Sequence, residues 1–178
     1  MANRSYLYSV DSLPSAENLP KPIKCVSEHN WAIPLAHRLL VGYETQVVPS
    51  MIWNPRIGVV GDYVRGGKLL ISLMTEVGKA EFPERDEFLA CMRATLVHLS
   101  KQKAAYFLLE TGEIHSLTEE DVEAAVEGMV GDIADDVKRA EAAIAGGEPE
   151  WVESLRANWR EHFDSFYSDW LYFSFPRD

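Results

Sequence analysis

Val122, Val126, Met129, Ile133, Val137, Ala140 and Ile144 follow one another at steps of 4, 3, 4, 4, 3 and 4 residues, the spacing that stacks side chains on one face of an α-helix. A stripe this long must be buried against another layer, so the chain has to supply one. Its amino terminus does: from Arg4 to Ser9, tyrosine and leucine alternate with polar residues, the period of a strand. The expectation is a single α+β domain over residues 1–178, with a mixed or antiparallel sheet, three or more helices and a helix-rich, acidic C-terminal half. A length of 178 residues with 47% apolar and 25% charged side chains suits one buried core.

Further elements follow from the same reasoning. Ile23–Val26, Gln46–Val48, Ile57–Val60 and Ala104–Leu109 read as strands, and a strand is also expected over the terminal Asp169–Phe175. Helices are predicted from Trp31 to Gly42, with Pro34 in the first turn, and from Pro83 to Gln102, where Phe88, Met92, Leu96 and Leu99 form the stripe. Lys68–Val77 fits either a helix or a buried strand. Thr118 is the expected N-cap of the long helix, with Asp121 three residues on, and Gly146-Gly147 its end. A last helix from Pro149 is expected to carry Trp151, Leu155, Trp159, Phe163 and Phe166 on one side. Seven aromatic residues lie between Phe163 and Phe175 and are expected to close the core, with a partner-binding patch as the alternative.

Charge is concentrated in one place. Between Glu110 and Glu153 there are 14 acidic residues against Lys138 and Arg139 alone, while the rest of the chain is close to neutral, so the net charge of −11 belongs to this segment. Such a surface repels nucleic-acid backbones and anionic membranes and draws in basic partners; solvation of a helix face is the plainer account of the same residues. The N-terminus lacks the apolar stretch of a signal peptide, and Ala104–Leu109, the longest apolar run, is too short to span a bilayer. Cys25 and Cys91 stand far apart without metal-ligand spacing. A reduced, cytoplasmic protein is expected.

No catalytic, cofactor or metal signature emerges. Gly61-Asp-Tyr-Val-Arg-Gly66-Gly67-Lys68-Leu69 imitates a phosphate-binding loop, but has one residue too many before the lysine and no hydroxyl after it. His29, His37, His98, His115 and His162 form none of the usual ligand spacings. Glu110 and Glu113, flanking Gly112, could form an acid/base pair, and a polar turn after a buried strand has the same composition. Arg4, Tyr6, Trp31, Arg38, Trp53, Arg56 and Arg65 would suit a polar pocket in the N-terminal half if the fold gathered them.

The start Met-Ala-Asn-Arg-Ser-Tyr-Leu-Tyr-Ser, with Ser27–Ala36 and Phe107–Ile114, resembles a family of small bacterial proteins of no known activity. In type rather than motif, a small acidic α+β protein with several tryptophans is similar to the immunity proteins that neutralise bacterial toxins. The resulting expectation is a non-enzymatic binding protein with a basic protein partner, met by Glu119, Glu120, Glu123 and Glu127 with Trp151 as an anchor. No nucleic-acid or membrane partner and no cofactor are expected. The alternatives are a small enzyme or ligand-binding domain using the N-terminal arginines and aromatics, and a structural or homo-oligomeric protein.

Overall fold

The computed structural model describes residues 3–53, 57–118 and 121–175. In chain order the elements are β1 (Arg4–Val10), β2 (Ile23–Asn30), α1 (Leu35–Leu40), β3 (Gln46–Val48), β4 (Gly58–Asp62), α2 (Tyr63–Val77), α3 (Arg85–Lys101), β5 (Tyr106–Glu110), α4 (Gly112–His115), α5 (Val122–Ile144), α6 (Pro149–Ala157), α7 (Trp159–Phe163) and β6 (Phe166–Tyr167). The strands form one antiparallel sheet in the order β3-β4-β5-β1-β2-β6. This is the single α+β domain expected, with its helices concentrated in the C-terminal half.

The two-residue period of the strands divides the core into two layers. Leu7, Val59, Phe107 and Leu109 point to one face, where α1, α2, α3, α5, α6 and α7 cover them. Tyr6, Tyr8, Val60 and Leu108 point to the other face, which is covered by the segments around Leu13 and Met51 and by the C-terminal Leu171–Phe175. A β-bulge adjusts the pattern: Leu7 faces Ser27 and Tyr8 faces Cys25, leaving Val26 as an extra residue that joins the helical layer.

The long helix follows its stripe. Val126, Met129, Ile133, Val137 and Ala140 are buried, and Val122 and Ile144 at its ends are half-buried. Asp121, not Thr118, caps it, accepting from the N–H of Ala124 at 3.0 Å; the aspartate carboxylate also matches the positive end of the helix dipole. The helix ends where Gly146 takes φ +94° and Gly147 N–H returns to Ala142 O at 2.8 Å.

Three expectations are revised and one left open is resolved. The first helix is confined to Leu35–Leu40 behind Pro34, because Trp31 adopts φ 66° and turns the chain before the helix can start. Lys68–Val77 is helical, as the second half of α2. In α3, Leu96 is 48% exposed and Thr95 is buried in its place. The helix from Pro149 breaks at Asn158 into α6 and α7, and Phe166 leaves it for β6, beside β2.

The final stretch 169–175 is not a strand but an irregular strap across the sheet. Tyr8 OH donates to Phe173 O at 2.7 Å, the N–H of Tyr172 donates to Glu28 at 2.7 Å, and Leu171 is buried against the lower layer. The seven aromatics from Phe163 to Phe175 therefore do not all close the core. Phe163 does, whereas Phe166, Trp170 and Tyr172 are exposed.

Candidate functional site

The outward face of α5 carries exposed carboxylates of the acidic segment. Burying Val126, Met129, Ile133 and Val137 turns Glu127, Asp132 and Asp135 to solvent. Among the described residues, no cation pairs with these three carboxylates. Their neighbours on the helix are engaged. Asp136 pairs with Arg38 of α1 at 2.8 Å, and burial raises its pKa against the pull of that guanidinium. Glu141 accepts from Tyr43 OH, and burial together with that carboxylate pushes the phenol up to about 12. Arg139 pairs with Glu148 at 3.2 Å.

The residues assigned from sequence fall unevenly on this surface. Glu127 is exposed, Glu123 is half-buried, and Glu119 and Glu120 lie outside the described residues. Trp151 is half-buried against the helical core with the Arg139 guanidinium 4.9 Å from its ring centre. It stands on α6, beside Arg139 of α5, and Glu127 lies near the N-terminal end of α5. With 1.5 Å of rise per residue, roughly 18 Å of helix axis separate Glu127 from the Arg139 that Trp151 touches. Asp132 and Asp135 were not singled out from sequence, although their placement between stripe positions is the signal that identifies them.

Glu110 and Glu113 share no partner. Glu110 ends β5 and is completely buried; it accepts from Ser50 Oγ at 2.7 Å and from the N–H of Met51 at 2.6 Å. Burial outweighs both hydrogen bonds and pushes its carboxyl up to about 7. Glu113, in α4, accepts from the N–H of Arg4 and from Tyr6 OH, both at 3.0 Å. Each carboxylate thus ties a different segment to the end of β5.

The N-terminal arginines and aromatics do not converge. Arg4 and Tyr6 meet around Glu113 and Glu28, with Tyr172 4.2 Å from the Arg4 guanidinium. Arg38 goes to α5, Arg65 stacks on Tyr43, Trp31 is 63% exposed, and Trp53 covers Gly112. Arg56 lies outside the described residues.

The glycine-rich run has a packing role. A Cβ at Gly66 would stand 2.0 Å from Leu40 O, and one at Gly61 would stand 2.5 Å from Val41, so both glycines let α1 and its exit pack closely on β4 and α2. Asp62 caps α2 by accepting from the N–H of Arg65 at 2.7 Å, which places a carboxylate where a phosphate would have to sit.

Cys25 and Cys91 are both free, and burial pushes the Cys91 thiol up to about 11. His37 is fully buried between Ser5 Oγ at 3.1 Å and Ser27 Oγ at 2.9 Å, and loss of water lowers it to about 3. Among the described residues, no cluster of three or more His, Cys, Asp or Glu could hold a metal ion, and no helix is long and apolar enough to cross a membrane.

No curated protein and no solved structure matches the chain. A family model does, over residues 11–150, a span that takes in β2 through α5 and with them the acidic face and Glu110. Its description is a domain of unknown function, DUF7822, and the chain belongs to that family.

Proposed function

We propose that this protein is a non-enzymatic binding protein that presents the outward face of α5 to a basic protein partner, as an inhibitor of the immunity type would. The observation that carries the reading is the absence, among the described residues, of any pairing cation at Glu127, Asp132 and Asp135 on a helix anchored by its buried stripe. Carboxylates without intramolecular partners have no ion pair to break when a cationic surface arrives. Their field also accelerates encounter with that surface. The use of Glu110 and Glu113 as ties for backbone segments agrees with a binding role rather than acid/base chemistry.

The test combines partner capture from the native cell with association kinetics on the variant Glu127→Lys, Asp132→Lys, Asp135→Lys. A basic partner that associates about tenfold more slowly with the variant, with the difference shrinking as salt shortens the Debye length to below about 8 Å, supports the reading. Failure to recover a basic partner, or an unchanged association rate, leaves the acidic face as a solvating surface.

A further inference from the structure

Between the end of α3 and the segments that cover the other side of the sheet lies a recess of about 670 Å³. One wall is the loop before and into β2, and the opposite wall is the C-terminal strap; Met51 and Cys25 also line it. Leu19, Pro20, Pro22, Ile23, Met51 and Phe175 make the lining largely apolar. Two large apolar side chains stand in water at its edge, Leu19 at 56% and Trp170 at 63% exposure. This volume is in the range of small-molecule sites, roughly 300–1,000 Å³. Exposed apolar groups around a concave surface mark a place where water is readily displaced.

The charge around the recess is opposite to that of the protein. Among the described residues, Lys21, Lys24 and Lys101 line it against one carboxylate, Asp169, in a chain of net charge −11. That carboxylate already accepts from the Gln102 amide. The Lys24 ammonium is steadied by Lys103 O at 3.0 Å, which uses one of its three N–H donors and leaves two. The lysines come from two elements whose sequence positions differ by about 80 residues, and only the tertiary fold brings them to one rim.

We infer that this recess binds an anionic amphiphile of the fatty-acid class, its apolar chain laid along Pro20, Ile23, Met51 and Phe175 and its carboxylate held by Lys21, Lys24 and Lys101. The apolar lining and the cationic rim together select such a molecule, because neither a sugar nor a simple anion would use both. A free amphiphile fits better than a membrane surface. The site is a recess rather than a protrusion, and the protein's overall charge repels anionic bilayers. This inference is independent of the acidic face of α5.

The probe is dodecanoate below its micelle concentration, followed by calorimetry and by tryptophan emission. Binding with a blue shift that disappears in Trp170→Phe, while the calorimetric signal remains, is the expected result. Lys21→Glu, Lys24→Glu, Lys101→Glu should weaken binding by about tenfold or more, the combined effect of three exposed charge contacts, and the corresponding triple Gln variant by less. Circular dichroism checks that both variants are folded. Absence of binding, equal affinity for dodecanol or dodecyltrimethylammonium, or an unchanged affinity in the folded charge-reversed variant would overturn the assignment.

Discussion

The N–H of Met51 donates to the carboxyl of Glu110 at 2.6 Å, which fastens the chain leaving β3 to the buried end of β5. Ser50 completes the clip: its Oγ donates to the same carboxyl and accepts from the N–H groups of Ile52 and Trp53. A backbone segment is thereby held over the lower layer with its N–H groups paired. The cost is a carboxyl kept out of water.

That cost sets a pH dependence, and His37 sets one of opposite sign. Glu110 is raised from 4.5 to about 7 in the folded protein, so its contribution to stability is present below about pH 4.5 and lost as pH rises through 7. His37 is lowered from 6.5 to about 3, so its contribution is present above about pH 6.5 and lost as pH falls towards 3. Between about pH 4.5 and 6.5 the two slopes oppose each other at roughly 1.4 kcal/mol per pH unit each. Relative to the native protein, Glu110→Gln should gain stability as pH rises through this window, and His37→Gln should lose it. Urea denaturation at several pH values reads both slopes; parallel curves for native protein and variants would refute the assignment.

Two adjacent glycines should respond in opposite ways. Gly66→Ala drives a Cβ to 2.0 Å from Leu40 O and must separate α1 from α2; a loss of about 3 kcal/mol or more is expected from such overpacking. At Gly67 nothing lies within 4 Å of the new Cβ, and Gly67→Ala should gain about 0.5–1 kcal/mol from helix propensity and a less flexible unfolded chain. Thermal melts of the two variants give the comparison. Equal effects would contradict the close packing of the first two helices.

The phase of α5 can be tested in the same manner. Ile133 is fully buried and Glu127 is exposed on the same helix. Ile133→Ala should destabilise by about 2–5 kcal/mol through a cavity in the helical layer, whereas Glu127→Lys should change stability by less than about 0.5 kcal/mol. A large effect at Glu127 and a small one at Ile133 would mean that the buried face is misassigned.

The residue periods were enough to determine the parts of this protein in which one interaction repeats along the chain. The 4-3-4-4-3-4 stripe of α5, the alternation of β1 and the acidic identity of the C-terminal half are local patterns, and the α+β class follows from them. Caps and ends were less legible, because Thr118 and Asp121 are both competent caps and the structure starts α5 at Val122, behind Asp121. Tertiary structure alone decided what depends on residues distant in sequence. It turned the terminal aromatic run into a strap, since Glu28 and Tyr8 capture the backbone of Tyr172 and Phe173 that a strand would have paired with another strand. It separated Glu110 from Glu113 by giving each its own donors, and it assembled the lysine-rimmed recess from the loop into β2, the end of α3 and the strap. A charge or an aromatic ring states what a residue can do, but burial and neighbours decide whether it does so, and those are set by which surfaces the sheet and helices bring together.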